Sequence, residues 1–244
     1  MNLYLKSTAN LGDFLNSLPV MAGLNASYGP INLIIRSGMR KFNGIKEFLM
    51  YQGLFEQVSF EDEIYFNGVT EISSWAREDR NDMNRPIETC RYENWMKDQG
   101  FKFDVVDDFK ILVPNLDIDV PTGYVVGDRW DVGGIDARRE TNVLSYLNQY
   151  DFLDYNNDLL TNAYILKNLK KPFITNMTGV AVLADLLDIE SYIVWKAEDW
   201  KPEFRKGDNI DWDNGKDITT IFQKHFYADR HTKLIHSKEL ESFL

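Results

Sequence analysis

The chain has 244 residues, 44% hydrophobic, 14% aromatic and 27% charged, with a formal net charge of −11. That length suits one large domain or two small ones with a sizeable core, and the acidic balance argues against a large non-specific nucleic-acid footprint, which needs a basic surface. No apolar run reaches the roughly 18–20 residues of a membrane span. Lys6 is not followed by the long apolar stretch and small residues of a signal peptide, so cytoplasmic residence is expected. The lone Cys90 rules out an internal disulfide or a Cys-cluster metal site. His225, His231 and His236 stand six and five residues apart, which fits neither one helical face nor one strand face, so no metal set is expected from them.

In chain order, residues 2–5 (NLYL) read as a first strand and residues 14–25 as an apolar helix, joined by a small polar loop. Residues 31–36 (INLIIR) are a β-branched run, punctuated by Tyr28, Gly29 and Pro30. Phe42, Ile45, Phe48 and Leu49 share one face of a helix over 41–51, and residues 57–60 form a third strand. Residues 61–104 are harder to read. They hold Trp75, Trp95 and a charged stretch, and 87–99 is compatible with a helix, either packed into the core or forming an acceptor-binding loop. Pro114 and Pro121, with Asp117 and Asp119 between them, mark 111–123 as a linker. A second series follows: strand 124–127, helices 141–150 and 158–169, strand 173–175, helix 178–187, strand 191–195, helix 219–226 and strand 233–235. Strands alternating with helices predict an α/β fold.

Two loops carry candidate chemistry. In the first, Asp13 follows the opening strand, at the end where α/β folds keep their sites. Asp13 suits either a helix cap or a general base. In the second, Thr178 and Gly179 start a helix. The exposed amides and dipole there suit an anion, and glycine lets a phosphate approach; the plainer reading is an N-cap on a buried helix. Arg129, directly after strand 124–127, suits a bidentate phosphate clamp or a surface stack on Trp130. Lys196, after strand 191–195, is a similar candidate, with Glu198 and Asp199 able to reach a ribose or to form a solvated turn. The Asp211/Asp213 pair reads first as a turn. Neither a Gly-x-Gly-x-x-Gly run nor a P-loop is present.

The run Asn10-Leu11-Gly12-Asp13, followed by an apolar helix with Pro19 six residues on, resembles the opening of the heptosyltransferase-like glycosyltransferases. Residues 53–58 (GLFEQV) are similar to the same family. Thr178, Gly179 and Ala184 match its later pattern Asp-Thr-Gly-Pro-x-His-x-Ala, whereas Met177, Val180 and Val182 replace the Asp, Pro and His. The resemblance implies two compact Rossmann-like halves of GT-B type. Residues 1–116 would form the acceptor side and 117–244 the donor-nucleotide side. It implies Asp13 as general base, and Asn10, Gly12, Arg129, Thr178, Gly179 and Lys196 as donor- and phosphate-binding candidates. No cofactor is implied beyond a nucleotide-sugar co-substrate. The acceptor would be a glycan or, given the Asn-, Asp-, Tyr- and Phe-rich composition associated with phage proteins, a hydroxymethylated DNA base. The alternative is a degenerate, non-catalytic relative that binds a nucleotide or a protein.

Overall fold

Each strand connection is long enough to carry a helix or an extended crossover, so neighbouring strands pair in parallel rather than as hairpins. The computed structural model describes residues 3–65, 68–76, 84–127, 150–176, 178–195, 223, 225–236 and 239–244. Its first sheet holds β1 (Leu3–Ser7), β2 (Ile31–Ile35), β3 (Phe55–Phe60) and β4 (Thr70–Ile72), in the order β3-β2-β1-β4. The second holds β5 (Val125–Gly127), β6 (Asp151–Phe152), β7 (Phe173–Thr175), β8 (Ser191–Trp195) and β9 (Thr232–His236), in the order β6-β5-β7-β8-β9. Every pairing is parallel. This is the α/β class expected from the alternation. Buried strands such as β2 and β7 are mostly apolar and β-branched, as expected of interior parallel strands, with Asn32 and Thr175 as their buried polar members.

The expected first helix is two: α1 (Leu11–Leu15) and α2 (Leu18–Tyr28). Pro19 has no N–H and fits only a first turn, so the helix restarts around it. The Ser17 hydroxyl closes the break by donating to the Phe14 carbonyl at 2.6 Å. The expected helix over 41–51 also starts late. A 3-10 turn covers Ser37–Lys41, and α3 (Ile45–Tyr51) begins after Gly44, whose φ of +69° is left-handed. Further on come α4 (Ile87–Asp98), α5 (Leu159–Lys167) and α6 (Gly179–Leu186). Asp158 caps α5, its carboxylate accepting from the Thr161 amide at 2.9 Å. Of the expected helix 141–150 only residue 150 is among the described residues, and of 219–226 only residues 223, 225 and 226.

One apolar core runs through both sheets, from Leu5, Phe14 and Leu33 to Phe173, Leu183 and Ile193. The sheets are also tied by polar contacts. The Leu159 amide donates to the Asn43 carbonyl at 2.8 Å, and the Ile111 amide to the Leu186 carbonyl at 3.1 Å. Residues 99–124 connect α4 to β5 with neither helix nor strand, and this segment contains the expected linker. It is held down by Arg85, itself buried, whose guanidinium forks onto Asp107 while its other nitrogen meets Glu93. Where the segment crosses α2, only glycine fits. A Cβ on Gly23 would stand 1.9 Å from the Asp104 carbonyl oxygen.

A second anchor holds the C-terminal end. Asp185, on α6, is 1% exposed and accepts from the Tyr227 amide at 3.2 Å and the Thr232 hydroxyl at 2.8 Å. Arg230 donates to the Asp185 carbonyl and the Phe109 carbonyl, both at 2.8 Å, binding this segment to the connection as well. Burial pushes the Asp185 carboxyl up to about 6 from an ordinary 3.8, against the pull of Arg230, Thr232 and the Tyr227 amide.

Two outcomes follow from these contacts. Gly23→Ala forces backbone against backbone and should cost about 1–3 kcal/mol in urea unfolding. Gly123→Ala, with nothing within 4 Å of its Cβ, should stay within about 0.5 kcal/mol. For Asp185 the folded pKa lies above the unfolded one. Its contribution to stability is therefore greatest below about pH 4, is lost as pH rises through about 6, and is level above that. Asp185→Asn should remove this component, so the wild-type-minus-variant difference in unfolding free energy should fall by roughly 3 kcal/mol between pH 4 and 7. A difference flat with pH would show that Asp185 does not titrate there.

Candidate functional site

In open parallel sheets ligands gather beyond the carboxyl ends of the strands, where the strand order reverses. The first sheet reverses between β1 and β4, and the second between β5 and β7. The loop after β1 leads into α1, and the loop after β7 leads into α6. Both loops singled out by sequence therefore stand at reversal points, and the fold brings them into contact. A Cβ on Gly12 would lie 3.3 Å from Gly179 Cα; one on Gly179 would lie 3.2 Å from both Gly12 N and Leu11 Cβ. The side of Gly179 that a side chain would occupy is filled by the other loop.

Asp13 is the third residue of α1, not its cap. Asn10 holds the N-cap position, with no side-chain capping bond. Instead, its Oδ1 accepts from Arg36 Nη1 at 3.1 Å, and the same nitrogen donates to the Thr8 carbonyl at 3.3 Å. Arg36 follows β2, so a cation stands over the first loop. The Asp13 side chain is 40% exposed. His225 approaches it from the far end of the chain, Nδ1 lying 3.7 Å from Asp13 Oδ1 and 3.5 Å from the Asn16 amide nitrogen. Asn16 also donates to the Gly12 carbonyl at 3.4 Å, and its own carbonyl accepts from the Thr89 hydroxyl at 2.9 Å.

The wall behind Asp13 is α4. Burial lowers the Arg91 pKa, partly offset by the Asp13 charge; burial and then that same charge raise the pKa of Tyr92. Residues 87–98 thus form a core-packed helix, burying Cys90, Tyr92 and Met96, whose Arg91 and Tyr92 feel the Asp13 charge.

On the other side, Thr178 holds the N-cap position of α6 in extended conformation without a capping bond. Its Oγ1 is buried and has no hydrogen-bond partner among the described residues. Asn176, 4% exposed, leaves both side-chain polar atoms unpartnered in the same sense. Three orphaned polar atoms therefore gather at a helix start whose first amides have no carbonyl to pair with inside the helix. Val182, at the position where the family pattern has His, is buried, its Cγ2 3.6 Å from the Cβ position of Gly12.

Among the sequence-derived candidates, Asn10, Gly12, Asp13, Thr178 and Gly179 come together. Arg129 and Lys196 lie outside the described residues, as do Met177, Glu198, Asp199, Asp211 and Asp213. Sequence reading missed His225, which was weighed only against the other histidines, and Asn176, whose interest lies in its burial. No metal-ligating group of three or more His, Cys, Asp or Glu occurs among the described residues. No helix among them is long and apolar enough to cross a membrane.

No family model and no curated protein matches the sequence. Solved structures do match the fold. Escherichia coli heptosyltransferase WaaC, solved with ADP, aligns at a TM-score of 0.56 and 10% identity over 100% of this chain and 98% of its own. A glycosyl transferase family 9 structure from Veillonella parvula aligns at 0.55 and 11% identity over 100% and 90%. E. coli ADP-heptose lipopolysaccharide heptosyltransferase II aligns at 0.52 and 10% over 96% and 90%. The likeness is one of fold: two parallel sheets in a compact α/β chain, similar over nearly its whole length to heptosyltransferase and glycosyl transferase family 9 structures.

Proposed function

We propose that the chain is a glycosyltransferase that moves a sugar from a nucleotide-sugar donor to an acceptor hydroxyl. In this reading the two sheets are Rossmann-like halves of GT-B type, with residues 1–116 on the acceptor side and 117–244 on the donor side. The observation that carries the reading is the Gly12–Gly179 contact. It sets a half-exposed carboxylate beside a helix start lined with orphaned polar atoms, at the reversal points of both sheets. The likeness in fold to a heptosyltransferase solved with ADP supports a nucleoside diphosphate as the leaving group.

The chemistry is a single displacement. The acceptor oxygen attacks the anomeric carbon of the sugar, and Asp13 takes the hydroxyl proton as that bond forms. The bond from the anomeric carbon to the phosphate oxygen breaks, and the nucleoside diphosphate leaves with the electron pair. The first amides and dipole of α6, with Asn176 and Thr178, face the growing negative charge. Arg129 and Lys196 are the further candidates to neutralise it. The acceptor hydroxyl belongs to a glycan or to a hydroxymethylated DNA base, and the net charge of −11 weighs against the second.

A non-catalytic nucleotide-binding role is the second reading. It is favoured by buried Val182 and by Met177, which stand where the family pattern keeps His and Asp. Two measurements separate the readings. Thermal unfolding against a panel of nucleoside diphosphates and nucleotide sugars should show one base raising stability by roughly 2.7 kcal/mol at 100 times its dissociation constant. Asp13→Asn should then lower transfer by about 100-fold or more while nucleotide affinity stays within about threefold. Binding without transfer in the wild type supports the second reading, and no binding at all removes both.

A further inference from the structure

The carboxyl ends of the first sheet carry two side chains that the transfer chemistry does not use. β2 and β4 flank β1, the strand that leads to Asp13. Arg36 directly follows β2, and Trp75 lies just beyond the end of β4. Trp75 is 89% exposed. An isolated exposed aromatic is ordinary on a protein surface, but this one is tied to the site. Its amide donates to the Ser73 hydroxyl at 3.3 Å, and the side chain of its neighbour Ser74 is hydrogen-bonded to Tyr92, the ring that feels the Asp13 charge.

Arg36 is held by one nitrogen only. Nη1 donates to the Thr8 carbonyl and to the Asn10 side chain, both neutral acceptors. The Nε–Nη2 edge of the fork has no hydrogen-bond partner among the described residues, and glycine at position 38 keeps it clear: a Cβ there would stand 3.3 Å from Nε and 3.7 Å from Nη2. Nearby acidic groups are engaged elsewhere. Glu61, its pKa lowered first by the Ser37 amide, then by Lys6 and least by Arg36, is bonded to that amide at 3.1 Å and to Lys6 at 3.2 Å. Asp62 and Glu63 are matched with Arg40 and Lys46.

We propose that Arg36 and Trp75 bind the acceptor, and that this acceptor is a carbohydrate bearing one phosphate or carboxylate. Its role as acceptor rests on the glycosyltransferase reading; the sugar site itself does not. Strands two places apart in a sheet are separated by about 10 Å, so the two side chains stand roughly a disaccharide's length from each other, with the loop of Asp13 between them. A sugar ring lays its C–H face on the indole, and the anion takes both N–H groups of the open fork edge. A DNA acceptor fits less well. A polyphosphate backbone calls for several free cations, and Lys6, Arg40 and Lys46 around these strand ends are already neutralised.

Three disaccharides that differ only at C6 of the non-reducing ring provide the test: cellobiose, cellobiose 6′-phosphate and cellobiouronate. Affinities are measured calorimetrically with the full chain, and contact at Trp75 by its indole N–H signal, assigned from Trp75→Phe. The wild type should bind one or both charged sugars about tenfold more tightly than cellobiose, and which one is preferred identifies the anion. Arg36→Gln should abolish that preference and leave cellobiose affinity nearly unchanged, whereas Arg36→Lys should keep part of it. Trp75→Ala should weaken all three sugars several-fold and leave the preference intact. Equal affinities in the wild type, a preference that survives Arg36→Gln, a uniform loss in that variant, or a Trp75 signal that no sugar moves would each overturn the proposal. So would tighter binding of a single-stranded oligodeoxynucleotide containing hydroxymethylcytosine than of either charged disaccharide. The nucleotide panel reports separately on the start of α6. Charged-sugar binding without nucleotide binding defeats the glycosyltransferase reading and leaves the sugar site; nucleotide binding without sugar binding does the reverse.

Discussion

The contact between Gly12 and Gly179 is the constraint on which the rest of the structure turns. Two loops from different sheets approach until backbone meets backbone, and either Cβ would intrude to 3.2–3.3 Å. Contacts this close are tighter than most side chains make, so an alanine at either position would have to push its neighbour back by a few tenths of an ångström. Leu11 and Val182 flank the contact and are buried by it. The glycine that suggests a phosphate cradle in sequence thus has a second physical role: it lets α6 seat against α1.

That seating would be fragile without support from further away. The connection over residues 99–124 has no ladder of its own, so its hold on the molecule comes from side chains. Arg85 is the main clasp, pairing one buried guanidinium with Asp107 on the connection and Glu93 on α4. Gly23 allows the same segment to lie directly on α2. Asp185 and Arg230 do the equivalent work at the C-terminal end, and the cost is a carboxylate kept in an apolar setting. Buried ion pairs add little net stability but are costly to break on one side only. Their effect here is to fix which segments lie beside the α1–α6 contact.

How much of this is legible in the sequence depends on how local the cause is. Phe173–Thr175 and Ser191–Trp195 can be read directly, because an interior parallel strand is dominated by apolar and β-branched residues. Thr70–Ile72 and Asp151–Phe152 cannot, since they are edge strands of three and two residues that exist only by pairing with β1 and β5. The split of the first helix was available in Pro19, whose effect on the preceding turn is local. In the candidate site the strand-loop-helix pattern points to Asp13, Gly12, Thr178 and Gly179. Nothing near His225 points to Asp13, because their meeting depends on contacts that Asp185 makes with Tyr227, Arg230 and Thr232, more than forty residues away in sequence. Asn176 is equally silent, as only its burial makes an ordinary amide unusual.

The continuous core also bears on how such a site is held ready. Two halves joined by a small polar interface would move freely against each other. Here Leu11, Phe14 and Leu15 lie in the same buried cluster as Val180, Val182 and Leu183. Parting α1 from α6 would expose those side chains, at a cost of about 25 cal/mol for each Å² of apolar surface. The distance from Asp13 to the start of α6 is therefore set by packing before any ligand arrives. A reaction that needs a base and an anion-stabilising helix end in fixed relation benefits from that order, because no ligand binding energy is spent on bringing them together.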